Sequence, residues 1–245
     1  MCSKLKALIL AGGFGKRLRP LTETRPKTMI EVSGVPIIGW QLSWLARHGI
    51  NDVVISTGYL KERIREYVKN GDGFGVDVEY CVEEEPLGTG GALKNSFRHF
   101  SDEKDFIMLY GDIITDLDPQ LLAERLGSET HHGHKTFLGA IAIIPLRSPF
   151  GIVEAKREGI AVGFKEKPIL NDYWMNAGVY CLSTQVYAQL PDKGSFEAQV
   201  LPGLAQKELL LVARYERRRW RSIDSVKDIE ECESEFADIV PKIQQ

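Results

Sequence analysis

The chain has 245 residues, with 31 lysine and arginine side chains against 34 aspartate and glutamate side chains and a formal net charge of −3. Hydrophobic residues at 43% and charged residues at 27% are ordinary values for a globular protein, which excludes a disordered or fibrous chain. The near-neutral charge argues against a protein that coats nucleic acid, because that activity needs a basic surface.

In chain order, the first half predicts strands that alternate with helices. Residues 6–11 (KALILA) form a short apolar run before two glycines, which is typical of a parallel strand buried on both faces. Further strands are predicted at 52–57, 76–82 and 105–110, and helices at 36–49, 61–70 and 92–100. Strands and helices that alternate at this length indicate βαβ units and a parallel sheet.

The second half has a different pattern. Residues 151–167 alternate around a turn at 157–159, which predicts a hairpin. The other features expected here are an apolar run at 137–144, a return to the main sheet at 179–182, a helix at 196–207, a strand at 209–215 and an amphipathic terminal helix at 226–239. We therefore predict an α/β fold with one Rossmann-like mixed, mainly parallel sheet flanked by helices and a small inserted antiparallel lobe.

The sequence predicts a cytoplasmic protein without membrane contact. The N-terminus lacks an export signal, because its apolar stretch breaks at Gly12 and Gly13 with no small-residue cleavage site after it. No apolar run approaches the ~20 residues of a membrane span. The cysteines at 2, 81, 181 and 232 are too scattered for a C-x-x-C site, and reduced thiols are the simpler interpretation.

The richest candidate site is the segment 10–20, LAGGFGKRLRP, directly after the first strand. Its glycines let backbone N–H groups approach a phosphate chain. The cations that crowd this region are Lys16, Arg17, Arg19, Arg25 and Lys27. In a chain of net charge −3 they indicate an anionic ligand, the alternative being a surface loop of solvated charges. A Walker A loop is excluded because Arg17 follows Lys16, and a G-x-G-x-x-G fingerprint because Leu18 replaces its third glycine.

Six motifs resemble those of the sugar-1-phosphate nucleotidylyltransferases, which join a nucleoside triphosphate to a sugar 1-phosphate. The loop resembles the family's L-A-G-G-x-G-x-R-L, and residues 25–32 (RPKTMIEV) resemble its x-P-K-P-M-x-x-V. Residues 85–93 (EPLGTGGAL) resemble its base-binding E-P-L-G-T-A-G-A-L. YGD at 110–112, FKEKP at 164–168 and NAG at 176–178 match its metal-binding and sugar-contacting motifs. The motifs follow the family's order over nearly the whole chain.

One segment departs from the family's pattern. Many members end in W-x-D-I-G-T, whose aspartate is a metal ligand, whereas here Ser222 stands two residues after Trp220. Asp224 lies two residues further on, and alternate residues of a strand point to the same side. The resemblance therefore implies that Asp112 and Asp224 hold Mg²⁺, which takes only one or two carboxylates. The alternative is that Asp224 caps the terminal helix.

The resemblance also assigns roles to other residues. Among the expected catalytic residues, Arg17 holds the triphosphate and stabilises the leaving pyrophosphate, Lys27 assists, and Lys167 grips the phosphate of the sugar. The expected nucleotide contacts are Leu10, Ala11, Gly12, Gly13, Gly15, Arg17, Lys27, Glu83, Gly88, Thr89 and Asp112. The expected sugar contacts are Gly151, Glu166, Lys167 and Asn176. Residues 1–135 would thus form a nucleotide-binding half and residues 136–245 a sugar-binding half.

The base and the sugar stay open at this point. A carboxylate at Glu83 or Glu84 suits the N1–H and 2-amino donors of guanine, and also the amino group of cytosine. Residues 85–92 are most similar to the D-glycero-D-manno-heptose-1-phosphate guanylyltransferases, which favours GTP and a manno-heptose 1-phosphate, whereas residues 220–228 are closer to cytidylyltransferases. The alternatives are a cytidylyl-, uridylyl- or thymidylyltransferase acting on a hexose 1-phosphate and a non-catalytic nucleotide-sugar sensor. A nicotinamide-dependent oxidoreductase is disfavoured by the broken glycine fingerprint.

Three further features have simple interpretations. The HHGH run at 131–134 lacks a helical i, i+4 pair and a cysteine companion, so we interpret it as a solvated helix end rather than a metal site. The RRRWR run at 217–221 is interpreted as phosphate-facing or edge-strand charge rather than a nucleic-acid site. Trp40 and Trp44 indicate core or interface, and a homo-oligomer formed through Trp40 and the last helix is compatible with the sequence.

Overall fold

The computed structural model describes residues 5–127 and 136–243, and its central feature is a seven-stranded sheet. The strands are β1 (Lys6–Ala11), β2 (Glu31–Val32), β3 (Val35–Pro36), β4 (Asp52–Thr57), β5 (Asp77–Val82), β6 (Asp105–Tyr110), β7 (Ile113–Thr115), β8 (Gly139–Arg147), β9 (Ile152–Ala155), β10 (Ala161–Lys165), β11 (Ile169–Ser183), β12 (Leu210–Arg214) and β13 (Trp220–Ser222). The α-helices are α1 (Ile37–Arg47), α2 (Lys61–Val68), α3 (Gly88–Ser96), α4 (Pro119–Gly127), α5 (Phe196–Gln199), α6 (Leu201–Gln206) and α7 (Val226–Glu235). Short 3₁₀ turns lie at Lys16–Leu18, Lys27–Met29, Asp72–Phe74, Phe97–His99, Thr184–Gln189 and Ala237–Ile239.

The strand order of the main sheet is β12-β8-β11-β6-β1-β4-β5. Strands β6, β1, β4 and β5 are parallel neighbours, while β11 runs antiparallel to both β6 and β8. This mixed, mainly parallel sheet confirms the predicted fold class, and the return of residues 179–182 to the sheet is also confirmed as part of β11. The carboxyl ends of β6, β1, β4 and β5 meet at one edge, which is where open α/β sheets bind their ligands.

Helices cover both faces of the sheet. Strand β1 sends Ala7 and Ile9 to one hydrophobic cluster and Leu8 to the other, and all three are fully buried. The first cluster contains residues of α1, α2 and α4, and the second contains residues of α3, α5 and α6. A strand buried on both faces is held rigidly, so the loop that follows β1 starts from a fixed point.

The predicted strands at 6–11, 52–57 and 105–110 are confirmed at the same bounds. Two helices differ from the prediction. Helix α3 begins at Gly88, four residues before the predicted start, because its glycine-rich first turn docks on the backbone at Gly194, with Gly90 N donating to Gly194 O at 2.9 Å. The helix expected at 196–207 is two helices that meet at Val200, since Pro202 has no N–H for a continuous helix and stands in the first turn of α6.

Helix α4 was not predicted, although its start is readable in the sequence. Asp118 precedes Pro119, and Asp118 Oδ1 accepts a hydrogen bond from Gln120 N at 2.9 Å. Such an acidic residue before a first-turn proline is a recognised start signal for a helix.

Trp40 belongs to the interior of the protein. It is 3% exposed, its ring packs edge-on against Phe236 with the ring centroids 6.0 Å apart, and its Nε1 donates to Val32 O at 3.0 Å. The core interpretation of Trp40 is therefore confirmed, and its side chain is not available as a contact for a second copy.

The predicted hairpin is confirmed as the antiparallel pair β9–β10, which forms a small sheet apart from the main one. Val153 lies opposite Phe164 in this pair, and both side chains are exposed. Because β11 begins at Ile169, shortly after β10 ends, the hairpin is an insertion between two neighbouring strands of the main sheet, β8 and β11.

Within the described part of the chain, no helix has the length and apolar composition needed to cross a bilayer. Cys81, Cys181 and Cys232 are buried free thiols, as expected. Cys2 and the histidines of segment 131–134 lie outside the described residues.

Candidate active site

A cavity of about 520 Å³ opens at the carboxyl ends of β1 and β6. Of the expected nucleotide contacts, all except Gly15 line it. The lining residues are Leu10, Ala11, Gly12, Gly13, Phe14, Arg17, Lys27, Thr28, Glu83, Pro86, Gly88, Thr89, Ala92, Tyr110, Gly111, Asp112 and Glu197. Sequence positions up to 187 residues apart thus converge on one concave surface.

The glycine-rich loop after β1 forms one wall of this cavity. Gly15 has a φ of 59°, in the left-handed region, and starts the short 3₁₀ turn that carries Arg17. Leu18 anchors the turn because its side chain is buried, while the Arg17 side chain is 79% exposed. Gly12 leaves room for the carboxylate of Glu83, which a Cβ at position 12 would overlap. The loop therefore has a fixed base and a solvent-exposed guanidinium.

The two aspartates expected to hold a metal come together on one lysine. Lys27 Nζ donates to Asp112 Oδ2 at 2.5 Å and to Asp224 Oδ1 at 2.7 Å. Arg17 Nη1 lies 3.2 Å from the same Asp224 oxygen. Asp224 does not cap the terminal helix, because Ser225 is the N-cap and accepts from Asp228 N. The carboxylates of Asp112 and Asp224 are therefore close enough to share a cation.

Asp224 is ionised at neutral pH. Burial pushes its pKa upward, but the hydrogen bond and charge of Lys27, together with the charge of Arg17, outweigh burial and leave the pKa below its ordinary value. Ser222 Oγ also donates to Asp224 Oδ2 at 3.1 Å. Ser222, which stands where the family usually has an aspartate, therefore helps to orient the carboxylate of Asp224.

This pair of carboxylates fits a magnesium ion by the chemistry of its donors. Mg²⁺ keeps several waters and binds through one or two carboxylates plus substrate phosphates, so two hard oxygen donors at or beside the cavity suffice. Among residues 5–127 and 136–243 no group of three or more His, Cys, Asp or Glu side chains is placed to hold a metal. The Lys27 ammonium lies between the two carboxylates and supplies the positive charge that they need.

The cavity lining carries a second acidic group beside the glycine-rich loop. Glu83 follows β5, and its Oε1 accepts from Ser56 Oγ at 2.9 Å. Burial raises the pKa of Glu83 above its ordinary value, although the hydrogen bonds from Ser56 and from the Leu87 backbone oppose this rise. Glu84, in contrast, points to solvent near Lys61. Of the two candidate base contacts, only Glu83 lines the cavity.

Glu197 is a cavity residue that sequence reasoning missed. Its Oε2 accepts hydrogen bonds from Thr89 Oγ1 and Ser195 Oγ, each at 2.6 Å. The only signal in the sequence is an acidic residue at the start of a predicted helix, which ordinarily indicates a solvated first turn. Its place in the cavity comes from the contact between the Gly88 turn and the loop at Gly194, which no local pattern predicts.

The expected sugar contacts lie together in part, but none of them lines the cavity. Gly151 lies beside the Phe164 ring and the Glu166 carboxylate, and Lys167 Nζ is 3.6 Å from Glu166 Oε1. The side chains of Glu166 and Lys167 are 63% and 50% exposed. Asn176 lies on β11, where Oδ1 accepts from Gly178 N at 2.8 Å and Nδ2 donates to Tyr180 Oη at 2.5 Å.

Two of the four arginines in the run at 217–221 pair with acidic side chains of the chain. Arg219 pairs with Asp116 at 2.9 Å and with Asp238 at 2.5 Å. Arg221 pairs with Glu231 at 2.5 Å and with Glu235 at 2.6 Å. Arg219 and Arg221 therefore connect the segment at β13 to α7 and the residues after it and help to hold the segment that presents Asp224, whereas Arg217 and Arg218 are exposed.

Comparison with known proteins agrees with this geometry. Residues 6–238 match the family model described as nucleotidyl transferase. The chain is 34% identical over 210 residues to the D-glycero-alpha-D-manno-heptose 1-phosphate guanylyltransferase of Aneurinibacillus thermoaerophilus, covering 84% of this chain and 86% of that protein. It is 31% identical over 247 residues to the UTP–glucose-1-phosphate uridylyltransferase of Synechocystis, covering 91% of this chain and 61% of that protein.

The crystal structure of HddC from Yersinia pseudotuberculosis has the same fold, with a TM-score of 0.70 at 24% identity over 95% of this chain and 99% of that one. The chain belongs to the nucleotidyl transferase family of sugar-1-phosphate nucleotidylyltransferases. It is therefore a nucleotidyltransferase, and the oxidoreductase alternative is excluded. The chain spans about three fifths of the length of the uridylyltransferase relative.

Proposed function

We propose that the protein transfers GMP from GTP to a manno-heptose 1-phosphate and releases pyrophosphate, with Mg²⁺ as its cofactor. The observation that carries this proposal is that Arg17, Lys27 and Asp112 line the cavity together and that Asp224 contacts both Arg17 and Lys27. Residues 1–135 would hold the nucleotide and residues 136–245 the sugar.

The reaction depends more on the stabilisation of negative charge than on the transfer of protons. An oxygen of the sugar's phosphate attacks the α-phosphorus of GTP, and the bond from that phosphorus to the bridging oxygen of the β-phosphate breaks. Pyrophosphate leaves with the electron pair of the broken bond. The attacking phosphate is already an anion near neutral pH, so the protein needs no general base. Its task is to bring two polyanions together and stabilise the leaving charge.

Arg17 and Lys27 supply the cations for this task. The exposed guanidinium of Arg17, which contacts Asp224 through Nη1, would bind the β- and γ-phosphates, and Lys27 lies deeper, where the α-phosphate would pass. The N–H groups of Gly12 and Gly13 would bind phosphate oxygens. Asp112 and Asp224 would hold the magnesium ion, which when bound spreads the charge that develops on the phosphates.

The preference for guanine rests on Glu83 and on the 34%-identical heptose 1-phosphate guanylyltransferase. A carboxylate at this wall would accept hydrogen bonds from the N1–H and 2-amino groups of guanine. Its pKa, which burial raises, would fall when those donors bind. The sugar would contact Gly151, Glu166 and Asn176, and Lys167 would bind its phosphate.

A matrix of pyrophosphate release tests the proposal. ATP, CTP, GTP, UTP and dTTP are each combined with heptose, mannose and glucose 1-phosphates, with and without Mg²⁺. We expect the highest kcat/KM for GTP with the manno-heptose 1-phosphate, and none without Mg²⁺. A higher value with another pair would replace the substrate assignment. Binding of a nucleotide sugar without release of pyrophosphate from any pair would identify a non-catalytic sensor.

A further inference from the structure

Asp224 stands at a point of the chain that the pairing of β13 does not fix. The strand ends at Ser222, which lies opposite Ile113 of β7, and Asp224 is two residues beyond it. Ile223 is still anchored, because its side chain is fully buried and its N–H donates to Asp112 O at 2.9 Å. From Asp224 onward the backbone leaves the strand, so its course depends on contacts other than strand pairing.

The carboxylate of Asp228, in the first turn of α7, supplies such a contact. Its Oδ2 accepts from Asp224 N at 3.0 Å and from Ser225 Oγ at 2.8 Å. Ser225 is the N-cap of the helix, and its Oγ accepts in turn from Asp228 N. In the usual capping box, the acidic side chain three residues after the N-cap bonds to the N–H of the N-cap residue itself. Here that side chain bonds to the N–H of the preceding residue, which is Asp224.

Helix α7 is a firm base for this contact. Arg221 of β13 pairs with Glu231 and Glu235 of the helix, the second pair at 2.6 Å. Cys232, on the same helix, is fully buried in the core. Because these contacts fix the helix against β13, Asp228 holds the backbone of Asp224 from a set position.

We infer that Asp228 is a positioning residue for the metal site, which acts through the N–H of Asp224 to hold the Asp224 carboxylate beside Asp112. The inference rests on the proposed function, in which Asp112 and Asp224 bind Mg²⁺, and deepens it. Ser222 Oγ, at 3.1 Å from Asp224 Oδ2, orients the tip of the side chain, whereas Asp228 fixes the backbone from which that side chain extends.

The test measures the binding of Mn²⁺ to Asp228→Ala in the absence of nucleotide, by the paramagnetic resonance of free Mn²⁺. We expect the Kd for Mn²⁺ to rise about tenfold, the lower end of what the loss of a group that orients a metal ligand causes. Asp228→Asn keeps a carbonyl oxygen that can accept from Asp224 N, so its Kd should stay within about twofold of the wild type. An equal rise in both variants would assign the effect to the charge of Asp228 and overturn the inference.

Ser225→Ala is the matched control, because it removes the helix cap and leaves the hydrogen bond between Asp228 and Asp224 N in place. It should lower Tm by about 2–4 °C and leave the Kd for Mn²⁺ within about twofold of the wild type. An equal rise in Kd in Ser225→Ala and Asp228→Ala would overturn the inference, since metal affinity would then follow the stability of the helix alone.

Asp228→Glu takes the place of Asp228→Ala if the alanine variant does not fold. A glutamate at this position makes the usual capping box with Ser225 N and releases Asp224 N. The expected result is an unchanged Tm with the Kd for Mn²⁺ raised about tenfold. A wild-type Kd in Asp228→Glu would overturn the inference in that case.

Pyrophosphate release separates this inference from the proposed function. With the substrate pair of highest kcat/KM, Asp228→Ala should need about tenfold more Mg²⁺ for half its maximal rate, and its kcat at saturating Mg²⁺ should approach that of the wild type. A raised Kd for Mn²⁺ in Asp228→Ala alone would support the inference even if the wild type released no pyrophosphate, in which case the proposed transferase activity would fail. An active wild type with equal Mn²⁺ affinity in Asp228→Ala, or a wild type that binds no Mn²⁺, would overturn the inference.

Discussion

The phosphate end of the site, which comprises Arg17, Lys27, Asp112 and Asp224, and the inserted lobe differ in how firmly the folded protein holds their side chains before a ligand binds. At the phosphate end, Lys27 is 15% exposed and already bonds to both Asp112 and Asp224. In the lobe, Phe164 is 67% exposed and the candidate ligands Glu166 and Lys167 contact each other more than the rest of the protein. The chain thus preorganises the charged groups of the phosphate end, where misplaced charge is most costly, and the proposed sugar contacts of the lobe would be completed by the ligand.

The largest expected effect is at Arg17, the one cation of the phosphate end that is mostly exposed. Arg17→Ala should reduce kcat by ~10²–10³, as removal of an oxyanion donor typically does, with Tm unchanged because the side chain has little packing to lose. Pyrophosphate release and thermal unfolding measure the two quantities. Arg19→Ala is the matched control, since Arg19 is in the same loop but does not line the cavity. Near-normal turnover of folded Arg17→Ala would remove Arg17 from the mechanism.

The next effect tests the lobe. Lys167→Ala should raise the KM for the sugar 1-phosphate by about 10- to 100-fold, because a charge-assisted bond to its phosphate is lost, and should leave the KM for GTP nearly unchanged. Lys165→Ala is the control, as Lys165 pairs with Glu154 on the hairpin at 2.8 Å. Initial rates over a range of each substrate give both constants. Equal effects of the two substitutions would show that Lys167 has no special role.

The glycine wall should respond to a single methyl group. The Cβ of Gly12→Ala would overlap the Glu83 carboxylate, so the loop or Glu83 must move, which typically costs ~1–3 kcal/mol. We expect a lower Tm and a KM for GTP raised by about tenfold. Gly13→Ala has no atom within 4 Å of its new Cβ and should keep the wild-type Tm. Identical Tm values for the two variants would show that the wall is not tightly fitted.

Lys27 allows a test of metal binding without turnover. Because its ammonium lies between Asp112 and Asp224, it competes with a divalent ion for the same oxygens. Lys27→Met should therefore lower the Kd for Mn²⁺ in the absence of nucleotide by about fivefold, although activity falls. Titration followed by the paramagnetic resonance of free Mn²⁺ measures this. Arg25→Met, whose residue lies near Glu31 instead, is the control. A weaker affinity of Lys27→Met for Mn²⁺ would contradict the expectation that the Lys27 ammonium and a divalent ion compete for the same carboxylate oxygens.

The sequence was sufficient for the phosphate end because its residues occupy contiguous motifs. Strand β1 and its glycine loop are local features. The position of Asp224 near Asp112 was expected from the two-residue period of a strand, although β13 ends at Ser222 and Asp224 lies beyond it. The shared bonding of both aspartates to Lys27 was not predictable, since it depends on β13 pairing with β7, and the only signal for that pairing is three residues long.

The inserted lobe and Glu197 show where sequence reasoning ends. The alternation of residues 151–167 predicted a hairpin, but not how far Glu166 and Lys167 lie from the cavity. Glu197 depends on a contact between two glycine loops 106 residues apart, in which Gly88 has a φ of 74° and approaches the Gly194 carbonyl so closely that no Cβ fits. A close approach between distant backbone segments leaves no periodic pattern in the sequence from which it could be predicted.

The smallest expected effect concerns the pH dependence of stability at Glu83. Burial raises the pKa of Glu83 above its ordinary value of 4.5, so the folded protein binds this proton more tightly than the unfolded chain does. Stability is therefore lost as the pH rises from 4.5 through the raised pKa, where the buried group must ionise. Glu83→Gln, which cannot ionise, should gain about 2 °C in Tm over the wild type at pH 7 and lose that gain below pH ~4.5. Thermal unfolding from pH 4 to pH 8 measures the difference.

Glu84→Gln, whose carboxylate is exposed, should show no such trend. A constant difference between Glu83→Gln and the wild type at every pH would show that folding leaves the pKa of Glu83 unchanged, which would contradict the raised pKa.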